Sequence, residues 1–570
     1  MPVNFNGQVL IQPQARTAFN YAGLTPPNPA TPYATVLVGE SNQGPNALTL
    51  IQSPADIINN LGQDSDGANA CWLALNPSGV TNGANPLYFW NVNPTTQGTL
   101  NLMSAGATTQ IVLTTTRWGA DADLIKVAVS AGSTAGYTVT VADDYSGGAA
   151  TLSNVALSVL SLWYSGTGTS PTVSVTDSLL TLTATTADTG GTITLTASMT
   201  AQQLVNQINT FTGWNATLLD PNPQDLVAAL FDNVSDVAVS TTSTTPTALT
   251  ANVTAVVRAL NGPTQTWVTA VRQADATALA TTGLYAYASG GTTGAATTAT
   301  WQAAYTALQA QTDVLWVTPI SPSSSYWLMN QAHCQYMHGL GYGRSGIVGG
   351  DSGTTVSTAL TNAALLVSQY TSYLANGFTA AALDGTVTTF PPYVAVAALT
   401  AMEAGQALNE SLTLKPVTAS GLEQTFAVPV VDQLINGGCV VLKPFNGTYV
   451  VAKGQTTAAL DPNATSDQIQ MSAVNERFVI EQGVNLVLSA FVGKPITSTT
   501  ASRVRDAVLN YLSGIATNPG ALIFQAPTRS QITVTVSGTV ISVTAPASPT
   551  LPADYALALL TVSQDTAVAA

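Results

Sequence analysis

The amino-acid sequence predicts an α+β multidomain chain, with a β-sandwich domain, an α/β domain, an α+β C-terminal domain and an extended arm at each end. Three observations carry that reading. Short runs of alternating Val and Thr, broken by Gly, Asp and Ser, crowd residues 108–220 and read as antiparallel strands of a sandwich. From 221 to 395, apolar stripes of helical period alternate with short apolar runs, the pattern of a largely parallel sheet covered by helices. Proline-marked tethers at 13–32 and 546–552 set off apolar segments that cannot build a core of their own. The boundaries read in this way are 1–32 for the N-terminal arm, 33–107 for the first segment of the α/β region, 108–220 for the sandwich, 221–395 for the α/β domain, 396–530 for the α+β domain, and 531–570 for the C-terminal strands and linking arm.

Taken in order, Val3, Phe5, Val9 and Leu10 give the N-terminal arm a strand pattern ahead of its tether. A strand follows over 34–40, then a helix over 54–61 with well-marked ends. Ser53 suits the N-cap, Pro54 the first helical position, Asp56 the first turn and Gly62 the C-terminal cap. LYFWNV at 87–92 reads as a buried strand. In the β-rich block the strands are 124–130, 137–143, 171–177, 179–185 and 192–198, closed by a helix over 201–211 that starts on a capping box of Thr200 and Gln203. Next come a helical stripe of Trp301, Tyr305 and Leu308, a strand over 314–320, a helix over 326–338, a strand over 346–349 and a helix over 357–375. Strands at 439–443 and 448–452 precede helices at 471–489 and 500–513, and strands at 531–544 and 555–563 end the chain.

Composition narrows the function. Only 8% of the 570 residues are charged, against a typical value near 25%, so the surface is mostly Thr, Ser, Asn, Gln and Gly. Such a surface is poorly protected against association and favours a chain that buries itself in an assembly. A net charge of −15 speaks against direct nucleic-acid binding, which needs clustered Lys and Arg. Three widely spaced cysteines, Cys71, Cys334 and Cys439, make no disulfide framework. The N-terminus has no signal-peptide pattern, and no apolar run is long enough for membrane insertion.

Candidate chemistry is thin. His333 and His338, both on one predicted helix, lack the nucleophile and orienting carboxylate of a triad. Cys334 and His338 share a helix face at metal-ligand spacing, but no third ligand is signalled. Gly341, Gly343 and Gly346 have GxGxxG spacing, yet they follow a helix and open a strand, the reverse of a dinucleotide site. The pairs Asp143–Asp144 and Asp64–Asp66 lack calcium-loop spacing and read as acidic turns. No cofactor is expected, and no GxxxxGK[ST] occurs.

Six segments, in order from about 36 to 530, resemble contractile phage tail sheath proteins: VLVGESNQGPNALTLIQSPADIINNLG at 36–62, RWGADADLIKVAV at 117–129, the stretch 164–219 ending in FTGWNATLL, YASGGTTGAATTATWQAAYTALQAQTDVLWVTPIS at 287–321, PPYVAVAALTAMEA at 391–404 with LKPV at 414–417, and NERFVIEQGVNLVLSAFVGKP at 475–495. Two departures from the family pattern are Arg117 before Trp118 and GQTT at 454–457. The resemblance implies a subtilisin-like α/β domain without a catalytic triad and a C-terminal domain facing an inner tail tube. It also implies a non-enzymatic subunit that stacks as hexameric rings around the tube, meets baseplate and tail terminator proteins, and contracts to drive the tube through a host envelope. The location implied is the virion, after assembly in the host cytoplasm. A genome-free injection device is the alternative, and a secreted Thr-rich adhesin a remoter one.

Within that frame the arms are the expected inter-subunit links. Tyr555, Leu557 and Leu559 lie on one face of the last strand, with Leu560 and Val562 on the other, so the strand must be covered on both sides. Val3, Phe5, Val9 and Leu10 form the second link. Arg503 and Arg505, about 200° apart on the last helix, are candidate tube contacts. The Thr-rich sandwich, poor in large apolar residues, is expected on the outer surface.

Overall fold

The computed structural model describes residues 33–185, 190–517 and 521–552, with the backbone of 3–5 and 8–10. The chain divides into two compact units: Met1–Pro94 with Ala295–Ala570, and Thr95–Gly294 inserted between them.

The first unit is built on a parallel sheet. Ala34–Gly39 lies between Leu87–Asn91 and Val314–Ile320, parallel to both, and Leu48–Ile51 adds an antiparallel edge. Beyond Val314–Ile320, bonds of 2.9 Å from Val317 N to Ser345 O and from Ser345 N to Leu315 O carry the sheet on. Gly346–Gly349, Thr371–Leu374 and Cys439–Val440 follow, all parallel. The middle strands are buried throughout because helices cover both faces. Alternation along Ala34–Gly39 sends Leu37 into one core with helices Asp66–Leu75 and Pro392–Ala404, and Val36 and Val38 into another with Trp301 and Leu308. Pro392–Ala404 is buried almost all round, and its small residues let it lie against Gly349, where a Cβ would strike the Pro392 backbone.

Helices Met471–Ser489 and Thr500–Thr517 pack through Val474, Phe478, Val504, Val508 and Leu512 onto Leu315 and Trp316. Gly483 sits where a Cβ would overlap the Tyr511 ring, which sets how closely the two helices approach. A hairpin of Thr533–Ser537 and Val540–Thr544 follows. At the other end, Val3–Phe5 and Gln8–Leu10 pair antiparallel, Val3 opposite Leu10.

The inserted unit has two cores, each shared by two sheets. One gathers Ile111, Leu113, Val127, Val139 and Val141 with helix Asn252–Leu260; the other gathers Leu160, Leu162, Val173, Leu180 and Leu182 with helix Ala201–Ile208.

Three expectations are corrected. The inserted unit runs over Thr95–Gly294, beyond the 108–220 read for the sandwich. Its late strand Val268–Arg272 pairs antiparallel with Thr109–Trp118, a partner far upstream that local alternation of helix and strand does not reveal. The divide expected at 395/396 falls inside helix Pro392–Ala404, and Cys439–Val440 joins the parallel sheet, so the layer extends well past it. The helix read over 357–375 ends at Leu366. There Val367 turns to φ 25°, Ser368 N donates to Thr457 Oγ1 at 3.0 Å instead of continuing the helix, and Thr371–Leu374 is a buried strand.

Candidate functional site

The residues singled out for chemistry are spent on structure. Arg344 is fully buried and donates to the Leu308 and Gln311 carbonyls at the C-terminal end of helix Thr298–Leu308, where the helix dipole is negative. It also donates to His333 Nε2 at 2.7 Å, which leaves the His333 proton on Nδ1. Burial first, and then the Arg344 charge, push His333 down to about 3, so it stays neutral. Cys334, one residue on, is fully buried, and burial pushes its thiol up to about 12. His338 faces elsewhere. Its ring nitrogens meet Tyr370 Oη at 2.7 Å and Glu481 Oε2 at 2.6 Å, and its ring lies 4.8 Å from that of Phe478. Cys334 and His338 therefore do not converge, and among the described residues no cluster of three His, Cys, Asp or Glu side chains is placed to hold a metal.

Gly341, at φ 90°, turns the chain out of helix Ser324–Gly339; Gly343 lies against Phe478 and Gly346 against the Val317 carbonyl, with no room for a Cβ at either. Close packing accounts for that glycine run. Asp143 pairs with Arg117 at 2.6 Å, Asp144 with Lys126 at 2.6 Å, and Asp66 accepts from Tyr393 Oη at 2.7 Å.

A more elaborate polar arrangement lies at the root of the C-terminal tether. Phe524 N donates to Ser548 O at 2.9 Å and Thr550 N to Leu522 O at 3.2 Å, so the tether runs beside residues 522–524. Thr550 then docks on Glu476, its N donating to Oε2 and its hydroxyl reaching both carboxyl oxygens, all at 2.9 Å. Glu476 is buried on helix Met471–Ser489, and burial pushes its carboxyl up to about 8, with the Thr550 bonds opposing and nearby Glu403 adding. Glu403, buried on helix Pro392–Ala404, is pushed up to about 7 by burial and accepts from Asn475 Nδ2 at 3.1 Å. Asn475 Oδ1 in turn accepts from Ser345 Oγ at 2.7 Å. Two polar links from neighbouring residues of one helix, Asn475 to the parallel sheet and to Glu403, and Glu476 to the tether, thus meet at this point.

Sequence reasoning gave Glu403 and Glu476 no role. The available signal was a lone carboxylate inside the apolar helix PYVAVAALTAMEA, where a buried charge needs a partner.

Of the two candidate tube contacts, Arg503 is exposed, whereas Arg505 donates through Nε to Ile532 O at 2.9 Å and ties its helix to the hairpin. Among the arm residues, the backbone of Val3, Phe5, Val9 and Leu10 forms the N-terminal hairpin. Tyr555, Leu557, Leu559, Leu560 and Val562 lie outside the described residues.

No family model matches the chain. The tail sheath protein of Staphylococcus phage Twort is 22% identical over 170 residues, a match that spans 29% of this chain and 29% of that relative's length. The crystal structure of the sheath tail protein from Desulfitobacterium hafniense superposes with a TM-score of 0.54 at 14% identity, covering 94% of this chain and 96% of that one. A sheath tail protein from Listeria innocua gives 0.55 at 12%, covering 91% and 93%. Over more than nine-tenths of its length the chain thus has the fold of these sheath tail proteins.

Proposed function

We propose that this chain, which shares its fold with sheath tail proteins, is the structural subunit of a contractile tail sheath. The observation that carries the proposal is the extent of the likeness: both units, insert included, follow sheath tail proteins over more than nine-tenths of either chain. In this reading, copies stack as hexameric rings around an inner tail tube, anchored at the baseplate and closed by a terminator protein. Contraction drives the tube through the host envelope for genome delivery. The role is mechanical and not catalytic: the α/β layer is a subtilisin-like scaffold without a triad, and the inserted β unit lies on the outside of a virion tail assembled in the host cytoplasm. The C-terminal region faces the tube, with Arg503 the exposed candidate contact.

Subunits are linked by their arms. The hairpin Thr533–Ser537/Val540–Thr544 pairs only with itself among the described strands, and an open edge accepts a further strand by main-chain hydrogen bonding. Apolar arm strands from neighbouring copies would fill such edges, while the tethers change shape between extended and contracted states.

The test is to concentrate the purified full chain and follow it by sedimentation and negative-stain microscopy. Rings or tubular polymers are expected. An ideal monomer at high concentration overturns the proposal, and DNA-free particles in the producing cell would favour a genome-free injection device.

A further inference from the structure

One face of the inserted unit has the makings of a ligand platform that the proposed function does not use. Gly148–Val155, Tyr137–Asp143, Ile125–Ala131 and Tyr285–Tyr287 form an antiparallel sheet in that order. Val127, Val129, Val139 and Val141 turn one face into the core, so the alternate residues make the other face. Register sets Ala128 beside Thr140 and Lys126 beside Ala142, and Thr140 beside Thr151, a row of small side chains of which Ala128 and Ala142 are buried. On the edge strand, Tyr285 stands opposite Ala128 and Tyr287 opposite Lys126, on the same face as that row.

Both tyrosines are about half exposed, at 48% and 50%, and Leu284 beside them is 74% exposed. The Lys126 ammonium lies 5.1 Å from the Tyr285 ring centre and 5.3 Å from that of Tyr287. Asp144 Oδ2 accepts from Lys126 Nζ and from Tyr287 Oη, each at 2.9 Å. The two half-exposed rings thus flank one ammonium that lies over both and is bonded to a carboxylate, while two strands away the Thr140 hydroxyl meets that of Thr151 at 3.3 Å. The ammonium and carboxylate cancel, which argues against a phosphate or a polyanion as occupant. An uncharged pyranose has what this face matches: an apolar C–H face for the rings, and a rim of hydroxyls that both donate and accept.

We propose that this face binds a neutral carbohydrate, a pyranose ring stacking on Tyr285 and Tyr287 while its hydroxyls reach Lys126 and Asp144. The test is calorimetric titration of the full-length chain with maltoheptaose, cellohexaose, chitohexaose and a mannan oligosaccharide. At least one should bind with a Kd of about 1 mM or tighter. The double variant Tyr285→Ala/Tyr287→Ala should weaken that binding about tenfold or more, and Tyr285→Phe should retain most of it. Were the double alanine variant to unfold, Thr140→Arg, which fills the row without touching the core, should abolish binding instead. Absence of saturable binding to all four sugars, or binding indifferent to these substitutions, overturns the proposal. So does loss of polymer formation in the folded double variant, which would make the face a contact between copies.

Discussion

Thr96 and Thr292 face each other across an antiparallel bridge, Thr96 N donating to Thr292 O at 2.8 Å, with their hydroxyls 2.8 Å apart. The chain therefore enters and leaves the inserted unit at a single point. Replacing residues 97–291 with two glycines should close that gap without strain. Circular dichroism should show the remaining unit folded, and microscopy should show it still forming polymers. A folded truncation that no longer assembles would move the insert from the periphery into the lattice.

Removing residues 553–570 leaves Thr550 and its bonds to Glu476 in place. We expect a soluble subunit with an unchanged melting temperature that builds no lattice. A lowered melting temperature would mean that the arm folds back on its own subunit, and normal sheaths would rule out the linking role.

Glu403 and Glu476 hold their protons to about pH 7 and about pH 8, far above an ordinary glutamate. Between pH 4.5 and those values the folded chain binds more protons than the unfolded one, so the stability they confer is full below about 4.5 and lost as pH rises through 7 and 8. The urea midpoint should be higher at pH 6 than at pH 9, and Glu403→Gln with Glu476→Gln should flatten the difference. Thr550→Val, which removes the hydroxyl but keeps the backbone bond to Oε2, should cost about 1 kcal/mol at pH 6.

His333 acts with the opposite sense. Its folded form refuses a proton down to about pH 3 because burial and Arg344 oppose a second positive charge. The unfolded chain takes that proton near pH 6.5, so stability should fall as pH drops from about 6.5 toward 3. The loss should be smaller in His333→Gln, read by the same urea titration at pH 7 and pH 4.

Gly483 offers a test of packing. Helix propensity alone predicts that Gly483→Ala gains about 1 kcal/mol. Its contact with Tyr511 predicts a loss of about 1–3 kcal/mol, because a Cβ there overlaps the ring. Thermal melts decide the sign, and Tyr511→Phe should restore little, since the ring carbons clash as well as the hydroxyl.

Local chemistry made some elements legible before any coordinates. Pro54–Leu61 starts where Ser53 and Asp56 said, with Asp56 N on Ser53 Oγ at 3.3 Å and Ser53 N on Asp56 Oδ2 at 2.9 Å. Val314–Ile320 and Gly346–Gly349 occupy their expected residues, since an apolar run between breakers leaves little choice. What stayed hidden depends on distant partners. Val268–Arg272 looks like an α/β strand until its pairing with Thr109–Trp118 is known, and nothing near Glu476 in sequence announces Thr550, 74 residues on. The tyrosine platform escaped for the same reason: Lys126 and Tyr287 are 161 residues apart.

The parallel sheet also dictates an order of events during synthesis. Ala34–Gly39 is made early, yet one of its two flanking strands, Val314–Ile320, is translated only after the whole inserted unit. At about 5–20 residues per second, the delay is on the order of tens of seconds. Over that interval the β unit emerges complete, with entry and exit already paired through Thr96 and Thr292, and can fold on the ribosome. The strand behind it still has an apolar edge open. A nascent chain stalled within the insert should therefore expose a sticky, half-built sheet, and holding chaperones should crosslink to residues 34–39 until Val314–Ile320 has emerged from the ribosome.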